Sequence, residues 1–497
     1  MKWLALAAAA VASLAVAAGA QAPTQVPVPV QAGEWRAAAR GDVLAAFDSY
    51  VANHPGMHDP TNPGFAAQLG RARDRGLAYA ERAQDRGGYA AALGAFSAEL
   101  GDGHALAFAN PPEGTQSPPQ WPGFVAAWRG DRLFVHHAGP ESPVAVGTVI
   151  LGCDGMPAAD FLRARLLTRG FRPAEAGHWW GRTPQAFVST ATLPGGPRSC
   201  LFRTADGRER EVALSWTEAP ADIDLLRRRA SDGERSEIGL FEPRPGLFLV
   251  GLPDFNPDEA GIAAYRRLYE RLAARRGELA GARAVLLDLR WNNGGSSAWS
   301  RDAAAILWGR PQVDAAMADF FRGVEIWWRA SPGNIAHMSE MERSIRTAGR
   351  EALADDIRTT GQGMAAAAAR GEPFHRVPID ESASEGPAPR GDFAVPVYVI
   401  TPGGCASACL DAVDLFTRFP NVRLVGAPTA GDSTYMEARS EPLPSGLGRL
   451  VIPTKIWMNR PRRSGEIYRP HIQVDDLDWS TETFLDAIER DLDRVQG

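Results

Sequence analysis

Apolar positions follow three different rhythms along the chain, and each predicts a different kind of element. Over residues 34–100 they recur at spacings of three and four in an alanine-rich background, the signature of amphipathic helix. The run Asp59-Pro60-Thr61-Asn62-Pro63-Gly64 interrupts that pattern and divides the helices. Between 121 and 220 the apolar runs become short, as at 132–137 and 146–157, with a helical stretch from Ala158. Asp206-Gly207 stands between two strand-like runs, which is a hairpin signal. From 234 onward, continuous apolar runs at 246–253, 284–290 and 395–400 alternate with helical patterns at 257–279, 297–308 and from Ala406. Uninterrupted apolar runs of that length fit strands covered on both faces. The expected class is therefore α/β and multi-domain: a helical N-terminal part (34–117), a β module (118–220) and an α/β core (234–497). The charged stretch 222–233 reads as a linker. Residues 312–392 break the core's alternation with Phe320-Phe321 and Trp327-Trp328, then an Ala-rich helical segment at 340–370, and read as an insertion serving as a lid or a dimer contact. Strand patterns at 449–453 and 455–458 and a helix at 481–495 close the chain.

A length of 497 residues exceeds what one core usually supports, in keeping with several domains. Net charge of −6 gives no reason to expect nucleic acid or an anionic membrane as a partner. Met1-Lys2-Trp3, an apolar stretch at 4–18 and Ala20-Gln21-Ala22 have the form of a signal peptide over 1–22, too short to span a membrane and followed by a Pro-rich linker at 23–33. A secreted or periplasmic protein without stable membrane insertion is expected, and such a compartment permits disulfides among the four cysteines. Cys153 and Cys200 could pair if their strands are neighbours, whereas Cys405 and Cys409 read as small buried fillers. The nine histidines have no ligand-type spacing beyond His136-His137, so no metal and no cofactor is expected.

Candidate chemistry gathers at three places. The run 395–400, then Pro402-Gly403-Gly404, then a helical pattern places Ser407 at a strand-turn-helix junction, where unpaired backbone N–H groups can hold developing negative charge. Residue type alone reads Ser407 as an N-cap. The segment Cys405-Ala406-Ser407-Ala408-Cys409, followed by Val425-Gly426-Ala427-Pro428-Thr429-Ala430-Gly431, resembles the nucleophile segment of the C-terminal processing (tail-specific) serine proteases. Leu100-Gly101-Asp102-Gly103-His104 resembles the histidine-bearing segment of that family's tricorn-like branch. Asp288-Leu289-Arg290-Trp291-Asn292-Asn293-Gly294-Gly295 resembles its oxyanion loop.

The resemblance implies a crotonase/ClpP-like core, a PDZ-like module at 118–220 that captures peptide by strand addition, and peptide-bond hydrolysis in peptides or unfolded proteins. It implies Ser407 as nucleophile, His104 as general base, and the N–H groups of Gly294 and Ala408 as the oxyanion hole. The insertion at 168–196 departs from a minimal PDZ module. Most of the family carries a lysine base after Pro-Thr-x-Gly, and here that position is Asp432; Lys455 is the one lysine left after the signal segment. Glu466, with Asp432 as its competitor, is expected to orient the imidazole. The rival expectation is a catalytically inactive peptide- or ligand-binding protein on the same fold.

Overall fold

The computed structural model describes residues 31–112, 117–379 and 393–496; the expected signal peptide lies outside them. Its centre is a six-stranded sheet. Gly239–Arg244 runs antiparallel to Leu247–Gly251, and Ala284–Asp288, Val397–Thr401, Val422–Gly426 and Ile472–Gln473 follow in parallel. The continuous apolar runs have the predicted cause, since alternate side chains enter two different cores. Phe248, Val250, Val285, Leu287, Val397 and Val399 face one side with the helices Glu259–Ala274, Ala298–Trp308 and Ala408–Phe416. Leu247, Leu249, Leu286, Tyr398 and Ile400 face the other, against Phe484, Leu485 and Ile488 of the closing helix Thr481–Gln496. The loops leaving the carboxyl ends of the parallel strands therefore emerge together, where open α/β sheets place their ligands.

The described part of the region 312–392 is built into a second sheet. Its strands Glu325–Arg329 and Phe374–Pro378 pair with each other, and the first also pairs with Gly448–Met458 in this antiparallel sheet, which Tyr435–Pro442 and Leu106–Ala109 complete. Phe320, Phe321 and Trp328 are buried in the main core, which explains the aromatic pairs as packing. The three N-terminal helices, Ala32–Asn53, Phe65–Ala80 and Arg86–Leu100, bury Tyr50, Phe65 and Phe96 against Leu450, Ile452 and Tyr435 of that sheet.

The β module is a six-stranded antiparallel sheet in which Phe124–Arg129, Arg132–Ala138, Val149–Cys153, Ser199–Arg203 and Glu209–Ala213 lie side by side and Met156–Pro157 also pairs with Val149–Cys153. Cys153 and Cys200 are register partners on neighbouring strands and form a disulfide. Residues 222–233 are not a linker: Ile223–Asp232 is a helix whose Ile223, Leu226 and Ala230 pack on Val125 and Ala127 of the module.

Candidate active site

Ser407 ends the turn between Val397–Thr401 and the helix Ala408–Phe416, with φ 54° and ψ −128°. A positive φ at a residue with a side chain is sterically costly, and such strain persists where the surroundings over-determine it. Three features impose it here. Cys405 and Cys409 are joined in a disulfide that brackets Ser407, correcting their reading as separate fillers. The Asp432 carboxylate accepts the Ser407 N–H at 2.5 Å. On the far side, a Cβ placed on Gly294 would lie 2.8 Å from Ser407 Cβ and 2.8 Å from Ala406 O, so the glycine loop rests directly on the turn. The N-cap expectation fails in detail, because the Ser407 side chain makes no capping hydrogen bond to the helix it precedes.

The glycine loop itself is held by its motif. Asp288 and Arg290, both fully buried, pair in a fork, and the guanidinium also donates to Trp479 O and Thr481 Oγ1. Asn292 donates to Leu252 O and accepts the Gly294 N–H at 2.9 Å. Gly294 therefore lies against Ser407, but its N–H is turned to its own loop. The Ala408 N–H, in the first turn of the helix, makes no hydrogen bond among the described residues.

His104 lies in the turn between the helix Arg86–Leu100 and the strand Leu106–Ala109. The intervening turn is locked by Asp102, whose Oδ1 accepts the His104 N–H at 2.8 Å and lies 3.7 Å from His104 Nδ1. Burial pushes the imidazole toward its neutral form, but the carboxylates of Asp102 and Asp432 outweigh it and raise the His104 pKa above its ordinary value. His104, Ser407 and Asp432 line one cavity of about 520 Å³. Glu466 does not join them: it is exposed and accepts the Arg463 N–H in its own turn. Lys455 also lies elsewhere, buried in the second sheet against Glu437 at 3.0 Å and against the rings of Trp328 and Trp457.

The cavity's opposite wall comes from the module's insertion and from the helix Ile223–Asp232. The short helix Ala176–Arg182 sits on bare backbone: a Cβ on Gly403 would lie 2.5 Å from Trp180 Cβ, and one on Gly177 would lie 2.4 Å from Thr429 O. Glu175 accepts the Gly431 N–H at 2.7 Å while Arg172 donates to Gly431 O at 3.0 Å, clamping the loop that carries Asp432. Sequence reasoning missed Asp102, Arg172, Glu175 and this helix. The Gly-Asp-Gly turn was a signal for Asp102, since an aspartate two residues before a backbone N–H closes an Asx turn; nothing local marked the others. Among the described residues no cluster of histidine, cysteine and carboxylate side chains could hold a metal ion.

No protein-family model and no curated protein matches the chain. Among solved structures, mature CPAF shares its fold, with a TM-score of 0.60 over 93% of this chain and 99% of that one at 14% identity. CPAF complexed with lactacystin gives 0.61, 93%, 98% and 13%. The photosystem II D1 C-terminal processing protease overlaps at a TM-score of only 0.36, 13% identical over 91% of this chain and 97% of that one. No helix among the described residues is long and apolar enough to cross a membrane.

Proposed function

We propose that this protein is a serine-type endopeptidase in which Ser407 attacks the scissile carbonyl of a peptide or unfolded protein segment. The observation that carries the reading is the forced backbone of Ser407, at the mouth of a helix and in one cavity with a histidine flanked by two carboxylates. His104 takes the Ser407 proton as general base and returns it to the leaving amine. Asp102 orients the imidazole through Nδ1 once their 3.7 Å separation closes, taking the part the sequence assigned to Glu466. Asp432 holds the Ser407 backbone and favours the imidazolium formed during attack. The oxyanion is received by the Ala408 N–H and, once the substrate carbonyl displaces Asn292 Oδ1, by the Gly294 N–H. Water then releases the acyl-enzyme.

The β module is read as PDZ-like, and the likeness to CPAF supports the fold on which this chemistry rests. Secretion or residence in a periplasm follows from the form of the N-terminus, and the two disulfides fit an oxidising compartment. The occupied Gly294 N–H favours one second reading, a binding protein of the same fold without turnover. A fluorophosphonate probe separates the two. The peptidase labels at Ser407, loses labelling in Ser407→Ala and in His104→Ala, and keeps it in Lys455→Ala; absence of labelling in folded protein refutes the peptidase.

A further inference from the structure

A second histidine, His54, lies fully buried at the end of the helix Ala32–Asn53, and the mechanism above makes no use of it. Three rings fix the plane of its imidazole: Phe65 stacks on it at 4.3 Å, while Tyr50 and Tyr435 meet it edge-on at 5.3 and 4.9 Å. His54 caps the 3₁₀ turn Pro55–His58, where its Nδ1 accepts the Gly56 N–H at 2.9 Å. A neutral imidazole has one donor and one acceptor, so acceptance at Nδ1 puts the proton on Nε2. Burial keeps the ring neutral, pulling its pKa down to about 3 against the opposing pull of the Asp102 carboxylate. The Nε2–H is itself buried and makes no hydrogen bond among the described residues. Buried donors are so regularly paired that an orphan of this kind calls for a reason. Asp102 supplies one. Its Oδ1 accepts the His104 N–H, whereas its Oδ2 is buried without a partner among the described residues. The tyrosine hydroxyls nearby are already committed, Tyr50 to Val451 O at 2.8 Å and Tyr435 to Asp59 Oδ2 at 2.7 Å. His104 Nδ1 is a third buried atom without a hydrogen bond, and Asp102 is the carboxylate whose charge reaches both histidines. Through Asp102 the three open atoms run donor, acceptor, donor.

We propose that His54 is a positioning residue, whose Nε2–H donates to Asp102 Oδ2 when the site closes and so sets the plane of the carboxylate that orients His104. Held from behind, Asp102 can turn only Oδ1 toward His104 Nδ1, which keeps the His104 proton on Nδ1 and leaves Nε2 free to take the Ser407 proton. The rings of Phe65, Tyr50 and Tyr435 carry the stiffness of the helical N-terminal part to the site by this route. The proposal deepens the peptidase reading and rests on it for its meaning but not for its test.

Two substitutions separate this role from the capping one. His54→Asn sets an oxygen where Nδ1 accepts the Gly56 N–H but has nothing at Nε2; His54→Gln reaches the Nε2 position with an amide N–H and gives up the cap. Two readouts apply to the full chain: the ratio of the two neutral His104 tautomers, from ¹⁵N-histidine NMR with the resonance assigned by its loss in His104→Gln, and the fluorophosphonate labelling rate. Loss of one donor to a buried carboxylate predicts about a tenfold fall in the share of Nδ1–H over Nε2–H tautomer and a similar fall in labelling for His54→Asn. His54→Gln should keep most of both, and His58→Asn, on the exposed side of the same turn, should change neither. A purely structural His54 predicts the reverse, with His54→Gln the more damaging. Thermal melts confirm that each variant is folded. Should His54→Asn not fold, the His54 Nε2–H resonance of the unchanged chain decides, since Asp102→Asn must move it. An unaltered tautomer ratio in folded His54→Asn, a His54→Gln that ranks below it, or an Nε2–H resonance indifferent to Asp102→Asn overturns the proposal. A tautomer ratio that answers to His54→Asn in a protein whose Ser407 never labels would uphold the positioning role and remove the peptidase; normal labelling with no response to either substitution would remove the positioning role alone.

Discussion

Asp432 occupies the position where the resembling family carries lysine, and replacing it by asparagine removes one charge with almost no change of shape. Its Oδ2 accepts the Ser407 N–H at 2.5 Å, and Arg462 lies 4.0 Å away. A hydrogen bond to a charged acceptor is worth about 1.5–3 kcal/mol and a neutral one about 0.5–1.5, so Asp432→Asn weakens the hold on Ser407 by about 1 kcal/mol. The positive φ of Ser407 stores strain of about 1–3 kcal/mol, so a loss of that size lets the turn relax in a sizeable fraction of molecules. The fluorophosphonate labelling rate should fall about fivefold to tenfold, since about 1.4 kcal/mol is a factor of ten. The pH profile should move as well. With His104 as the proposed neutral base, the rate should rise as pH passes its pKa, and two carboxylates place that limb above the ordinary histidine value. With Asp432 neutral the imidazolium loses support, and the acid limb shifts to lower pH. Asp432→Lys should abolish labelling rather than restore a lysine base, because it leaves the Ser407 N–H without an acceptor and sets a cation beside Arg462 and His104. An Asp432→Asn protein with unchanged rate and an unmoved acid limb would refute the role given to this carboxylate.

Three further outcomes follow from the same geometry. Gly294→Ala drives a methyl to within 2.8 Å of both Ser407 Cβ and Ala406 O at φ 111°, so labelling of the folded protein should drop at least a hundredfold and the thermal midpoint should fall; unaltered labelling would contradict the placement of the loop. Asp102→Asn should lower labelling a hundredfold or more, whereas Glu466→Gln, on an exposed turn, should leave it within twofold; the reverse ranking would return the third role to Glu466. Lys455→Met breaks a buried ion pair, which typically costs about 3–5 kcal/mol of stability, but the folded fraction, quantified by circular dichroism, should still label at the normal rate.

Legibility in the sequence followed the range of the forces involved. The parallel strands were readable because burial on both faces writes a continuous apolar run, and the glycine loop because a buried Asp288–Arg290 fork and a close backbone approach demand those residue types at that spacing. The packing of Phe320-Phe321 and Trp327-Trp328 was not legible because the strand that pairs with Glu325–Arg329, Gly448–Met458, arrives far later in the chain. The helix Ile223–Asp232 was taken for a linker since its charges dominate its composition, while only Ile223, Leu226 and Ala230 anchor it. Ser407 and His104 were singled out through motifs. Asp102, in a turn already noted, was passed over because its partner is the neighbouring residue and not a distant one.

The disulfide between Cys405 and Cys409 ties the state of the nucleophile turn to the redox surroundings of the chain. With two thiols there instead, the Asp432 carboxylate and the Gly294 loop alone would hold Ser407 in its positive-φ backbone. Re-forming the bond, which takes an oxidant, would restore the third constraint.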